Sequence, residues 1–239
     1  MLLKDISFPT PDENILYDEV LLHLAERGVG GEALRFWESD KLFIVLGKIC
    51  KEEDDLKIDE LKRNKILVLR RSSGGGTVVQ GKGCLNYSLI LSKESNLQLA
   101  DLRKSYAIIL AKVIDGLKSV NVEATFLPIC DIALVKDQKK ISGNAQKRAK
   151  KFILHHGTIL YNFDLNVIEQ YLKFPKDVPE YRKGRKHLDF VTNVSLSAVQ
   201  IKAALCKSFS VTREESKITQ EEANCLKDFL ATKKVIVQL

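Results

Sequence analysis

From residue 66 to residue 91 the chain reads as three strands in succession, with no helical period between them. Residues 66–71 are a compact apolar run ending in Arg70 and Arg71. Residues 77–80 and 85–91 follow, and the joints hold Gly74, Gly75, Gly76, Gly81 and Gly83. Residues 33–37 and 42–46 repeat the pattern around a short turn at Ser39-Asp40. Residues 122–127, 131–135 and 152–163 add further strands. Strands in hairpin-like succession, without strict alternation with helices, imply an α+β fold: a largely antiparallel or mixed β-sheet flanked by helices.

Helical spacing marks the flanking layer. Asp12, after Pro11, is placed to cap a helix carrying Ile15, Leu16, Val20, Leu21 and Leu24, with Gly28 ending it. Residues 54–64 and 165–172 read as shorter helices and 99–117 as the longest, with Ile108, Ile109, Val113 and Leu117 inward. Residues 195–208 and 219–231 close the chain. Ser197 and Thr219 are candidate caps, and Thr219 with Glu222 matches a capping box. Ahead of these closing helices, residues 174–187 form a loop rich in Pro, Gly, Lys and Arg. No linker divides the 239 residues, so 1–239 is read as one domain whose closing helices cover about 195–239.

Apolar content of 45% and charged content of 29% are those of a globular protein. No apolar run reaches the ~18 residues of a membrane span, and the N-terminus lacks a signal-peptide pattern, so the cytoplasm is expected. Cys50, Cys84, Cys130, Cys206 and Cys225 are odd in number and lack C-x-x-C spacing. That argues against disulfides and structural zinc. The formal charge of +7 favours an anionic partner.

Two segments have the chemistry to hold an anion. In Arg70-Arg71-Ser72-Ser73-Gly74-Gly75-Gly76, glycines let backbone N–H groups approach phosphate oxygens, and an arginine adds a fork of donors. Adjacent strand residues face opposite ways, so one of the two arginines enters a pocket there. No Gly-Lys-Ser/Thr closes a Walker motif. In Lys140-Ile141-Ser142-Gly143-Asn144-Ala145-Gln146 a lysine heads a small-residue turn, and Gly143 and Ala145 leave room for a ligand. The two segments are expected to face each other across one pocket. Asn86 can donate and accept there. His155 and His156 face opposite sides of a strand, so one reaches the site and the pair is not a metal centre. Cys130 is either a buried small residue or a thiol activated by a nearby lysine.

Taken together, these segments resemble the lipoate–protein ligase, octanoyltransferase and biotin ligase catalytic-domain family. The signatures are the arginine pair with Ser73-Gly74-Gly75-Gly76 and Asn86-Tyr87-Ser88, then Lys140 to Ala145, then His155-His156-Gly157-Thr158-Ile159-Leu160. Gln80 stands where the lipoate enzymes usually have histidine, and Ile129-Cys130-Asp131 where ligases often have Arg-Asn-Asp. The resemblance implies the family's fold and an ATP-dependent lipoate–protein ligase. Lipoate and ATP, the latter with Mg2+, would give lipoyl-adenylate, and the acyl group would pass to a carrier lysine. Lys140 would be catalytic. Arg70, Arg71, Ser73, Gly74, Gly75, Gly76, Asn86, Asp131, Gly143, Ala145, His156, Gly157 and Thr158 would bind substrate or nucleotide. The implied carriers are the lipoyl domain of a 2-oxoacid dehydrogenase acyltransferase subunit or the glycine cleavage H protein, with no nucleic-acid or membrane partner. Residues 173–187 fall where relatives have a loop covering the adenylate. The chain is too short for the C-terminal accessory domain of many bacterial ligases, and a separate accessory polypeptide is one partner the resemblance allows. The rival readings are an octanoyltransferase working through acyl-Cys130 without ATP, and a non-catalytic lipoate- or nucleotide-binding module.

Overall fold

A computed structural model describes residues 1–176 and 178–239. The chain begins with β1 (Leu2–Asp5), a strand the sequence pattern does not announce, and α1 (Pro11–Glu26). Thr10, not Asp12, caps α1. Its hydroxyl accepts from the Glu13 N–H, and the Glu13 carboxylate accepts from the Thr10 N–H at 3.1 Å. Pro11 then takes the first helical position, where no N–H is needed. β2 (Ala33–Trp37) and β3 (Phe43–Leu46) follow. The helix expected over 54–64 is two pieces, α2 (Glu52–Asp55) and α3 (Ile58–Arg63), because fully buried Leu56 leaves the helix to bridge Leu172.

β4 (Leu67–Arg70), β5 (Val78–Gln80) and β6 (Cys84–Ser92) precede α4 (Leu102–Lys118), which Asp101 caps. β7 (Ala124–Leu127), β8 (Asp131–Leu134), β9 (Lys140–Arg148) and β10 (Phe152–Leu160) form the next run. The chain ends with α5 (Asn166–Tyr171), α6 (His187–Phe190), α7 (Ala198–Ser208), β11 (Arg213–Glu214) and α8 (Gln220–Thr232). The capping box expected at Thr219 is formed, and the cap expected at Ser197 proves to be a full box with Gln200: each hydroxyl accepts from the N–H three residues on, and that residue's side chain answers the cap N–H.

Among the described residues the strands make two sheets. The larger has the order β11-β1-β2-β6-β10-β9-β8-β7, the smaller β4-β3-β5. β1 runs parallel to β2 and β11, β3 parallel to β4, and the other pairs are antiparallel, so the sheet is mixed and largely antiparallel as expected. β2 and β3 do not form the expected hairpin. Every residue of both is buried, which needs cover on each face, and the Ser39 turn carries the chain from one sheet to the other.

The period-two alternation of the larger sheet gives it two apolar faces. Leu34, Phe36, Leu85, Tyr87 and Leu89 pack under Ile109 and Val113 of α4 and Ile201 and Leu205 of α7. On the other face Ala33, Trp37, Ile90 and Leu154 meet Leu16 and Val20 of α1, Leu226 of α8, and Phe43, Val45 and Leu69 of the smaller sheet. The site opens between this second face and the smaller sheet. All five cysteines are unpaired, and no helix among the described residues is long and apolar enough to cross a membrane.

Candidate active site

The Lys140 segment is a strand, not the expected turn, and a bulge decides where its lysine goes. β9 pairs with β10 from Ser142 to Arg148, with Ala145 opposite His156 and Gly143 opposite Thr158. Strict alternation would put Lys140 on the opposite face from Gly143 and Ala145. Against β8, however, Ile132 pairs with Ser142 while Ala133 pairs with Lys140, so Ile141 is an extra residue. A bulge reverses the facing of what precedes it. Ile141 goes into the core under α4, and Lys140 joins Gly143 and Ala145 in the pocket. There the lysine chain lies over Gly143, where a Cβ would sit 2.9 Å from Nζ, and Nζ meets Asp131 Oδ1 at 2.7 Å.

The glycine run faces β9 from across the pocket. Gly75, at φ +82°, has an ideal Cβ position 3.6 Å from the Ala145 Cβ, so the two anion-suited segments meet there. The carbonyls of the run are tied down from behind. Ser73 O accepts from the Lys48 N–H at 2.9 Å and Gly75 O from Cys50 Sγ. Gly74 O and Gly76 O accept from Arg71 Nη2 at 2.7 and 2.8 Å. Arg71 also donates to Ser73 Oγ and, on β3, to Val45 O, so its whole fork is taken up by protein acceptors. The backbone N–H groups from Ser72 to Thr77 donate to no acceptor among the described residues. An array of free N–H groups held by tethered carbonyls is a nest for anionic oxygens.

The pocket floor is polar and internally satisfied. Gln80 Nε2 donates to Thr158 Oγ1, Thr158 Oγ1 to Asn86 Oδ1, and Asn86 Nδ2 to Gln80 Oε1, at 2.8, 2.5 and 3.0 Å. Gln80 thus completes a three-membered ring of hydrogen bonds. His156 Nε2 lies 2.7 Å from Ser73 Oγ and ties β10 to the glycine run. Gly157 leaves a gap that the Asn144 side chain fills. That side chain accepts from the Tyr87 hydroxyl and donates to Cys130 O at 2.8 Å, which holds the turn before Asp131.

The sequence patterns did not single out the remaining lining. Ile15, Trp37, Val45 and Leu154 give the pocket an apolar part, and Asp18 and Glu19 reach it from α1. Asp18 pairs with fully buried Arg35 at 2.6 Å and accepts from Ser88. Burial works to raise the Glu19 carboxyl, but hydrogen bonds from Lys233, Ser72 and Lys147 outweigh it and hold it below the usual carboxylate range. One signal was available: two adjacent acids within the apolar run of α1 need buried partners.

Of the expected site residues, Lys140, Arg71, Ser73, Gly75, Gly76, Asn86, Cys130, Asp131, Gly143, Ala145, His156, Gly157 and Thr158 line this pocket, and Arg70 and Gly74 do not. Arg70 points the other way. It donates to Gly47 O and Cys50 O and pairs with Glu52 at 2.5 Å, so it braces the turn beneath the glycine run. The loop expected over 173–187 contains a 3-10 turn at Glu180–Arg182. Its Arg182 stacks between Phe174 and Phe190 at 4.5 and 4.6 Å. Asp177 of that loop lies outside the described residues.

The two histidines separate as expected, and both resist protonation. Burial, then the charge of His156, pushes His155 down to about 3. Burial and Arg71 push His156 the same way. His155 is fully buried and touches Gln146 through Nδ1. Its unfolded pKa is about 6.5. Between these values the unfolded chain binds a proton that the folded chain refuses. Stability from this group is therefore complete above the unfolded value and falls as pH drops towards the folded one, by up to ~1.4 kcal/mol per pH unit. We expect His155→Gln to flatten the fall in urea midpoint between pH 7 and pH 5. A variant whose midpoint follows pH as steeply as the wild type would remove His155 from this role.

Comparison with known proteins places this geometry. Residues 10–210 match the model of the lipoyl protein ligase A/B catalytic domain. The octanoyltransferase LipM of Brevibacillus brevis is 23% identical over 94% of this chain and 92% of its own. The structure of a lipoate-protein ligase A bound with ATP superposes with a TM-score of 0.81 at 25% identity, covering 97% of this chain and 94% of that one. A bipartite lipoate protein ligase from Thermoplasma acidophilum, solved in a study of that ligase and its E2 lipoyl domain, gives 0.80 at 24% identity, over 97% and 92%.

Proposed function

Because the chain belongs to the lipoyl protein ligase A/B catalytic-domain family, we propose that it activates lipoate with ATP and passes the lipoyl group to a lysine of a carrier domain. In the first step a lipoate carboxylate oxygen attacks the α-phosphorus of ATP. The bond to the bridging oxygen breaks and pyrophosphate leaves; ATP would enter as its Mg2+ complex, which would offset part of the phosphate charge. In the second, the neutral amine of the carrier lysine attacks the acyl carbon of the mixed anhydride. AMP leaves, and the proton that the amine gives up passes to solvent water.

Both steps build negative charge on oxygens beside one centre, which fixed donors stabilise best. One observation carries the reading: a row of free N–H groups, their carbonyls tethered, shares a pocket with Lys140. Lys140 would follow the charge from phosphoryl to acyl oxygen as a compact, mobile donor. The apolar stretch of Ile15, Trp37, Val45 and Leu154 suits an aliphatic tail, each buried CH2 contributing ~0.8 kcal/mol. The ATP-bound relative of the same fold supports a nucleotide here, and the Thermoplasma system supports a lipoyl domain as acceptor. A cytoplasmic setting, with residues 1–239 acting as one catalytic domain, belongs to the same reading.

A second reading, octanoyl transfer through Cys130, is favoured by the LipM relative and by the place of Cys130 in the lining. Against it, burial and the Asp131 charge raise the Cys130 thiol above its ordinary range, outweighing Lys140 and Arg71. A protonated thiol is a poor nucleophile. Incubation with an apo lipoyl domain, read by mass, separates the two. We expect lipoylation that requires ATP, and Cys130→Ser to retain activity to within about twofold. Octanoylation from octanoyl carrier protein without ATP, lost in Cys130→Ser, would replace the ligase reading with the transferase.

A further inference from the structure

The Asp131 carboxylate has two oxygens and two different clients. Oδ1 takes Lys140 Nζ at 2.7 Å, and Oδ2 accepts from the Tyr181 hydroxyl at 2.7 Å. Asp131 is 6% exposed, so its rotation is set by these partners and not by water. Burial and the Asp131 charge both raise Tyr181, so its hydroxyl stays protonated and donates.

Tyr181 sits in the segment between Pro179 and Thr192, which grips the start of β9 a second time. The Thr192 N–H donates to Lys140 O at 2.9 Å, and Val191 bridges Lys140 in parallel register. Arg185 reaches Asp137 O and Gln138 O of the preceding turn and Tyr181 O of its own. The Tyr181 ring packs on Phe190 with centroids 5.3 Å apart, so the segment keeps its shape without the hydroxyl.

We propose that Tyr181 is a positioning residue for Lys140. By holding one oxygen of Asp131 it turns the other towards Nζ, and it thereby makes the lysine's placement depend on docking of the 179–192 segment. Nothing else among the hydrogen bonds of the described residues fixes that carboxylate plane. A lysine amine can keep one bond to Asp131 and still offer two donors to a substrate anion. Tyr181 therefore orients the amine without competing for the ligand. The consequence for the reaction rests on the acyl-transfer reading above; the consequence for the amine does not.

Two measurements on the full chain test the two parts separately. The first is competitive labelling of amines with acetic anhydride, read peptide by peptide. Tyr181→Phe is expected to raise the reactivity of Lys140 by about threefold or more while Lys147 and Lys233 stay unchanged. Unchanged Lys140 reactivity overturns the proposal whatever the enzyme does. The second is a double-mutant cycle of Tyr181→Phe with Asp131→Asn, read on whichever acyl transfer the wild type performs. Tyr181→Phe is expected to lower kcat about tenfold and leave KM for the acyl donor within twofold. Asp131→Asn is expected to abolish most of the further effect of the tyrosine change. Additive losses, or a change in KM alone, would make Tyr181 a mere packing residue. If the wild type transfers no acyl group, the functional reading fails, and the labelling result still decides the geometric one.

Discussion

Lys140→Ala should abolish acyl transfer, lowering kcat by about 10^3-fold or more, while the fold survives. The two halves of that expectation rest on different facts. The Lys140 side chain is 27% exposed and its one ion pair is with Asp131, so its loss leaves a single carboxylate oxygen without its partner. The other oxygen keeps Tyr181. A cost of about 1–2 kcal/mol covers such a defect. Chemistry suffers far more, because the lysine is the mobile cation in a pocket whose arginine is already committed to protein carbonyls. Lys140→Arg is not expected to rescue it: the planar fork needs a broader seat than the gap over Gly143, where even a Cβ would lie 3.0 Å from Cε. Thermal unfolding checks the first half, and mass-detected transfer to an apo carrier checks the second. Near-normal transfer by Lys140→Ala would remove Lys140 from the mechanism.

The same lysine shows how far the sequence could be read. Small residues from Ser142 to Ala145 look like a turn because propensity sees no strand there. The strand exists because β10 and β8 pair with it on both sides, which is long-range information. That Lys140 faces the pocket depends on one extra residue, Ile141, and a local pattern cannot count residues against a partner strand. The composition of the glycine run was legible, since a residue without a side chain lets a ligand come close to the backbone N–H groups. What each arginine does was not. Arg70 and Arg71 must face opposite ways on a strand, but which one meets the pocket depends on the turn that Arg70 braces. Asp18 and Glu19 were visible as acids in an apolar helix, yet their partners come from Arg35, Lys147 and Lys233. The Tyr181 contact joins residues 50 positions apart, beyond any periodicity.

The second large effect is expected at Arg71, and a conservative variant tells what the residue is for. If Arg71 bound a substrate phosphate by its charge, Arg71→Lys would keep part of the affinity and Arg71→Met would lose it. The geometry gives another order. Arg71 holds Gly74 O and Gly76 O with one nitrogen and Ser73 Oγ with another, and a lysine cannot present that fork. Both variants should therefore release the glycine run and weaken binding of a lipoyl-sulfamoyl adenosine analogue by about 100-fold, close to 2.8 kcal/mol. Stability should move much less. Met removes a guanidinium whose pKa burial already lowers, and this offsets the carbonyls left without a donor, which loop water can reach. Calorimetric titration with the analogue gives the affinities and urea unfolding the stabilities. If Arg71→Lys binds within about threefold of the wild type, charge and not scaffolding is the function of Arg71. The tethered-carbonyl account of the anion nest would then have to be given up.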